Sequence, residues 1–143
     1  MVEKSITIPA ASESLPEVYG LIEGELEKIE DCGRSDILQL HMVVDEVFAN
    51  IMNYAYEGKE GMATLTFSYD SDTKAVTITF IDEGVPFDPL SAGEPDVTLE
   101  AGKRTPGGLG LFMVKSAVDE ISHEYRDGKN ISMFKKTLKG KAK

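Results

Sequence analysis

Residues whose types and spacing suit phosphoryl transfer stand at three separate places in this chain. The first is Glu46-Val-Phe-Ala-Asn50, with Asn53 close behind. On a helix, positions four apart stack on one flank, so Glu46 lies above Asn50. An amide oxygen can ligate Mg²⁺, a hard cation that keeps most of its waters. A carboxylate one turn away can orient and deprotonate an attacking hydroxyl. An ordinary amphipathic helix with solvated flank residues would carry the same letters, because E-x-x-x-N is common by chance.

The second place is Asp82-Glu-Gly84-Val-Pro86-Phe87-Asp88-Pro89, at the end of a β-branched run. A carboxylate there can accept a hydrogen bond from an adenine amino group, and a glycine lets the base approach the backbone. A strand ending in a polar turn would also place Asp and Gly here. The third is Thr105-Pro106-Gly107-Gly108-Leu109-Gly110-Leu111, which leads into a helix. Glycines let backbone N–H groups converge on an anion, and a helix N-terminus adds positive potential. Lys103 and Arg104, just upstream, supply local positive charge. A flexible loop with glycine at a helix start is the alternative. The segment is not a P-loop, since it lacks G-x-x-x-x-G-K-[ST] and does not follow the first strand.

The elements that must position these residues follow from periodicity. Lys4–Pro9 alternates and reads as a first strand. Ser14-Leu-Pro-Glu17 fits a capping box with Pro16 in the first turn, opening a helix that runs to about Asp31 and ends at Gly33. Ser35 can cap a second helix through Tyr56, stopped by Gly58, with Ile37, Leu40, Val44, Val47, Ile51 and Tyr54 as its core stripe. Gly61–Asp70 and Ala75–Asp82 read as a hairpin, each with one apolar and one largely polar face. A third helix is predicted from near Leu109 to near Glu120, burying Leu111, Val114, Val118 and Ile121. Ser122–Arg126 and Asn130–Leu138 close a last hairpin across Asp127-Gly128-Lys129. The predicted fold is an α/β two-layer sandwich, with a mixed, mostly antiparallel sheet and three helices on one face. Asp88–Pro106 has no such pattern, and a loop of this length between two phosphate-site motifs reads as a lid.

The 143 residues suit a single domain, 1–143, with 41% hydrophobic and 28% charged residues. No apolar run approaches the roughly 20 residues of a membrane span. The N-terminus lacks a signal-peptide core. A lone cysteine, Cys32, leaves no internal disulfide and fits a reducing cytoplasm. The net charge of −10 argues against nucleic acid as a direct partner. Lys135, Lys136, Lys139, Lys141 and Lys143 make a basic end that reads as a solvated tail, with 139–143 as its last part.

Taken together, the three motifs resemble the N, G1 and G2 boxes of the GHKL ATP-binding superfamily, in its order. The likeness covers about residues 36–135 and is greatest to the small anti-sigma-factor serine/threonine-protein kinases, whose histidine-kinase-like fold carries ATP over its helical face. The resemblance implies ATP and Mg²⁺ as cofactors, Glu46 as general base and Asn50 as metal ligand. It matches Asp82 and Gly84 to the family's adenine-reading aspartate and its glycine, and Gly108 and Gly110 to the phosphate-cradling glycines. The nucleotide site expected here takes in these with Asn50, Asn53, Phe87, Lys103, Arg104, Thr105, Gly107, Leu109 and Leu111. Pro86 replaces the second glycine of the generic G1 box, as in the anti-sigma kinase branch. Asn130 replaces a threonine often found on the last hairpin. His41 and His123 read as structural or surface histidines, since a complete histidine kinase needs a dimerising hairpin that bears the phosphoacceptor.

The expectation is a cytoplasmic Mg·ATP-dependent kinase that phosphorylates a small anti-sigma antagonist protein and regulates transcription. A sigma factor is a further candidate partner, and a homodimer stays open. The alternatives are a nucleotide-gated protein-binding switch without phosphotransfer, and an α/β interaction domain without nucleotide.

Overall fold

The computed structural model describes residues 2–56, 59–86 and 108–140. Its elements are β1 (Val2–Pro9), a 3₁₀ turn (Ser12–Ser14), α1 (Leu15–Glu27), α2 (Arg34–Asn50), a π-helical turn (Ile51–Ala55), β2 (Met62–Asp70), β3 (Ala75–Asp82), α3 (Gly108–Ala117), β4 (Glu120–Arg126) and β5 (Lys129–Thr137). The strands form one five-stranded sheet in the order β1-β2-β3-β5-β4. Every pairing is antiparallel, so the sheet is antiparallel throughout where a mixed one was allowed for.

The period-2 alternation places the core. Ala63, Leu65 and Phe67 of β2 and Val76, Ile78 and Phe80 of β3 are buried toward the helices. Leu40, Val43, Val44, Val47 and Phe48 of α2 and Val18, Ile22 and Leu26 of α1 meet them in one cluster. Val114 of α3 is fully buried; α3 ends at Ala117, short of the expected Glu120, so Val118 packs at the core margin from beyond the helix and Ile121 from β4. On the far face, the hydroxyls of Ser5 and Thr66, and of Thr7 and Thr64, pair across β1 and β2 at 3.2 and 2.9 Å. The last hairpin turns through Asp127 and Gly128 with φ of 55° and 77°, the positive angles a tight two-residue turn requires.

Several expected details differ. Ser14 makes no capping hydrogen bond, because its φ and ψ of −85° and −11° are already helical within the 3₁₀ turn. α1 ends at Glu27, short of Asp31, and Gly33 starts the next helix where it was expected to stop the first. Gly33 is the extended N-cap of α2, and Asp36 reaches back to accept its N–H at 3.1 Å, which leaves Ser35 inside the first turn. Tyr54 leaves the core stripe and is 43% exposed, because the wider π turn carries it off the face that Val47 and Ile51 share.

The late lysines are not all a solvated tail. Lys136 lies in β5, 3% exposed, with Nζ 3.9 Å from the fully buried Asp36 carboxylate. That carboxylate also accepts the backbone N–H groups of Lys139 and Gly140 at 2.9 and 3.0 Å. It straps the end of β5 to the start of α2. The predicted stop at Gly58, the segment Asp88–Pro106 and residues 141–143 lie outside the described residues, as does the expectation for the Leu111 side chain. Among the described residues, no helix is long and apolar enough to cross a membrane.

Candidate functional site

A cleft opens between the C-terminal end of α2 with its π turn, the end of β3 and the start of β5. Val47, Asn50, Ile51, Tyr54, Ala55, Asp82, Val85, Pro86, Asn130, Ser132 and Phe134 line it. The walls are mostly apolar, which suits a flat heteroaromatic ring, and the polar groups are few and converge.

Asp82 is the best-fixed of these groups. It is buried at 7% exposure, at the last position of β3, directly opposite Asn130 on β5. Its Oδ1 accepts hydrogen bonds from the Gly84 N–H at 2.9 Å and from Asn130 Nδ2 at 3.0 Å. The same Asn130 nitrogen donates to the Val85 carbonyl oxygen at 2.8 Å. Oδ1 is therefore committed to the protein, and Oδ2 is the oxygen left for a donor in the cleft.

The turn after Asp82 is pinned from the π turn. Val85 N–H donates to the Ala55 carbonyl at 2.7 Å. Gly84 passes so close that a Cβ placed on it would stand 2.1 Å from that same carbonyl oxygen, so no side chain fits. Tyr56 adds a second pin, its hydroxyl donating to the Met62 carbonyl and accepting the Glu83 N–H at 2.8 Å. Burial pushes the Tyr56 phenol above the usual tyrosine range, and the charges of Asp82 and Glu83 act in the same direction. The phenol stays neutral and keeps both hydrogen bonds.

Asn50 lines the cleft, one turn beyond Glu46. Its amide nitrogen is buried with no hydrogen-bond partner among the described residues. An amide whose nitrogen is left without a partner is open to a ligand, and rotating it exchanges its nitrogen for its oxygen. This fits a Mg²⁺ ion held by one protein oxygen, with phosphates and water completing its shell. Among the described residues no cluster of three His, Cys, Asp or Glu could hold a metal by protein groups alone.

Glu46 is half-buried on α2 and outside the cleft lining, and Asn53 is exposed and also outside it. Gly108, Leu109, Gly110 and Leu111 form the first turn of α3, so the glycine motif coincides with a helix start. Phe87, Lys103, Arg104, Thr105 and Gly107 lie outside the described residues. His41 stacks on Tyr19 with centroids 4.6 Å apart and faces Asp45 and Glu23, away from the cleft. His123 meets the Ser132 hydroxyl at 3.1 Å.

Sequence reasoning missed the walls: Tyr54, Ala55, Val85, Ser132 and Phe134. It also missed the Tyr56 pin. A signal existed for Asn130, which stood out as a departure from the usual threonine. No local pattern could show that it faces Asp82.

Comparisons with known proteins bear on the family and the fold. The family described as histidine kinase-like ATPase domain matches residues 8–135. The chain is 30% identical over 104 residues to a protein named serine-protein kinase RsbW from Listeria monocytogenes, covering 69% of this chain and 65% of that one. It is 27% identical over 137 residues to a protein of the same name from Bacillus licheniformis, covering 90% of this chain and 84% of that one. The fold matches the crystal structure of the RsbU and RsbW domains of a Mycobacterium tuberculosis protein with a TM-score of 0.67 and 18% identity, covering 96% of this chain and 33% of that one. The chain therefore belongs to the histidine kinase-like ATPase domain family, where its likeness is to the anti-sigma serine-protein kinase branch.

Proposed function

We propose that this protein is a Mg·ATP-dependent serine/threonine-protein kinase of the anti-sigma type, with a small antagonist protein as its substrate. A sigma factor is the regulator it would hold in a nucleotide-dependent complex. Adenine would enter the apolar cleft and donate its amino group to Asp82 Oδ2. Asn50 would hold Mg²⁺, which neutralises charge on the phosphates. The first turn of α3, from Gly108, would meet the phosphates with backbone N–H groups. Glu46 would take the proton of the attacking hydroxyl.

The observation that carries the reading is the Asp82 carboxylate, buried at the mouth of an apolar cleft with one oxygen held by two protein donors. The other oxygen keeps its acceptor capacity for a donor in the cleft, and a ring bearing an amino group supplies one. The kinase names of the relatives support the reaction class.

The test is to incubate the protein with γ-labelled ATP, Mg²⁺ and candidate partners encoded beside it. Label should appear on a serine or threonine of a small partner and be lost with Asp82→Asn. The position of Glu46 outside the cleft lining favours a second reading, a nucleotide-gated switch that binds its partner without phosphorylating it. A partner that binds only with ATP present, and is never labelled, would establish that reading in place of the first.

A further inference from the structure

Asn130 is 3% exposed and sits where the resemblance leads one to expect threonine. Its amide nitrogen bridges two groups that can only accept, the Asp82 carboxylate at 3.0 Å and the Val85 carbonyl at 2.8 Å. Two acceptor partners fix which end of the amide is nitrogen. A threonine hydroxyl carries a single proton and could serve one of these acceptors at a time. An amide serves both.

The bridge has a geometric effect. Asp82 could turn about its side-chain torsions and present either oxygen to the cleft, or neither. Asn130 from β5 and the Gly84 N–H from the following turn converge on Oδ1, so the carboxylate plane is set from two sides. The second bond ties that setting to Val85, which lines the cleft and whose N–H is held by Ala55. Carboxylate and turn are thus locked as one unit across the β3–β5 ladder, where Asp82 and Asn130 are direct partners.

We infer that Asn130 is a positioning residue for base recognition: it aims the free oxygen of Asp82 at the exocyclic amino group of a 6-aminopurine nucleotide, and so sets discrimination for that group without touching it. The inference rests on the nucleotide site proposed above.

The experiment compares Mg·ATP with the Mg²⁺ complex of purine riboside triphosphate, which lacks the 6-amino group, by titration calorimetry. Wild type should prefer ATP. Asn130→Ala should weaken ATP by roughly tenfold, the effect of one misaimed hydrogen bond, while changing the analogue less than about twofold. Asn130→Thr, which restores one donor, should recover part of the preference, and it stands in if the alanine variant does not fold. Thermal melts without nucleotide check folding in every case. Equal weakening of both nucleotides would assign Asn130 to packing alone and overturn the inference, as would an unchanged preference for ATP. A wild type that binds both nucleotides equally, or neither, would instead overturn the site reading on which it rests.

Discussion

Replacing Asp82 with asparagine makes a prediction sharper than loss of binding. Oδ1 of Asp82 receives two N–H donors, from Gly84 and Asn130. A side-chain amide introduced at position 82 by Asp82→Asn must turn its oxygen toward them, since its NH₂ group there would face two donors. Its NH₂ then points into the cleft where Oδ2 had been. For ATP, a charge-assisted bond of about 1.5–3 kcal/mol is lost, which is roughly 10- to 140-fold in affinity. The facing amino groups add to this. For a 6-oxopurine the change has the opposite sign, because a carbonyl that met a carboxylate now meets a donor worth about 0.5–1.5 kcal/mol. Asp82→Asn should therefore bind Mg·ATP at least tenfold more weakly and Mg·ITP as well as or better than wild type does. Titration calorimetry at one fixed salt concentration measures both, with melts confirming the fold. Unchanged ATP affinity, or equal weakening of ATP and ITP, would refute the assignment of Oδ2 to the base.

Other substitutions test other parts. Glu46→Gln should leave nucleotide binding intact and slow single-turnover phosphotransfer by roughly 10²–10⁴-fold; equal rates would remove Glu46 from the chemistry. Gly84→Ala places a methyl 2.1 Å from the Ala55 carbonyl oxygen, so the turn must move, at about 1–3 kcal/mol in urea denaturation and with weakened ATP binding. Asp36→Ala removes the acceptor of three backbone N–H groups and strands buried Lys136. It should cost about 3–5 kcal/mol, and adding Lys136→Met should recover part of the loss. Tyr19 is raised to about 12, first by its hydrogen bond to Asp45. Its contribution is full below pH 10 and is lost as pH rises toward 12. Melts from pH 9 to 12 should show this alkaline loss in wild type and a flatter profile in Tyr19→Phe.

What was legible in the sequence was what repeats locally. The alternation of Ala63–Phe67 and Val76–Phe80 marked the β2–β3 hairpin and its buried face, and Asp127-Gly128 marked the last turn. Helix ends were harder. Ser14 and Ser35 look like caps, but a 3₁₀ turn had already set the first and the Asp36 carboxylate the second. Capping depends on which way a short side chain reaches, and letters do not record that. The π turn was invisible because it inserts its extra width without any residue that demands it, and Tyr54 moved off the predicted face as a result. The site motifs named Asn50 and Asp82, and both line the cleft. They could not find the partner that aims Asp82, since Asn130 comes into register only after α3 and β4 have intervened.

That register also has a consequence for how the protein is made. β3 lies between β2 and β5, and β5 is the last strand in chain order. A ribosome therefore releases β1, α1, α2, β2 and β3 while the inner edge of β3 is still bare. An emerging chain at about 5–20 residues per second spends seconds in that state, with Asp82 held by the Gly84 N–H alone and without its bond from Asn130. The cleft wall from Asn130 to Phe134 arrives with the final strand. Partly synthesised chains thus carry most of the core yet cannot assemble the corner where Asn130 meets Asp82, the proposed base site. They would neither sequester nucleotide nor compete with finished molecules for a partner that recognises the loaded form.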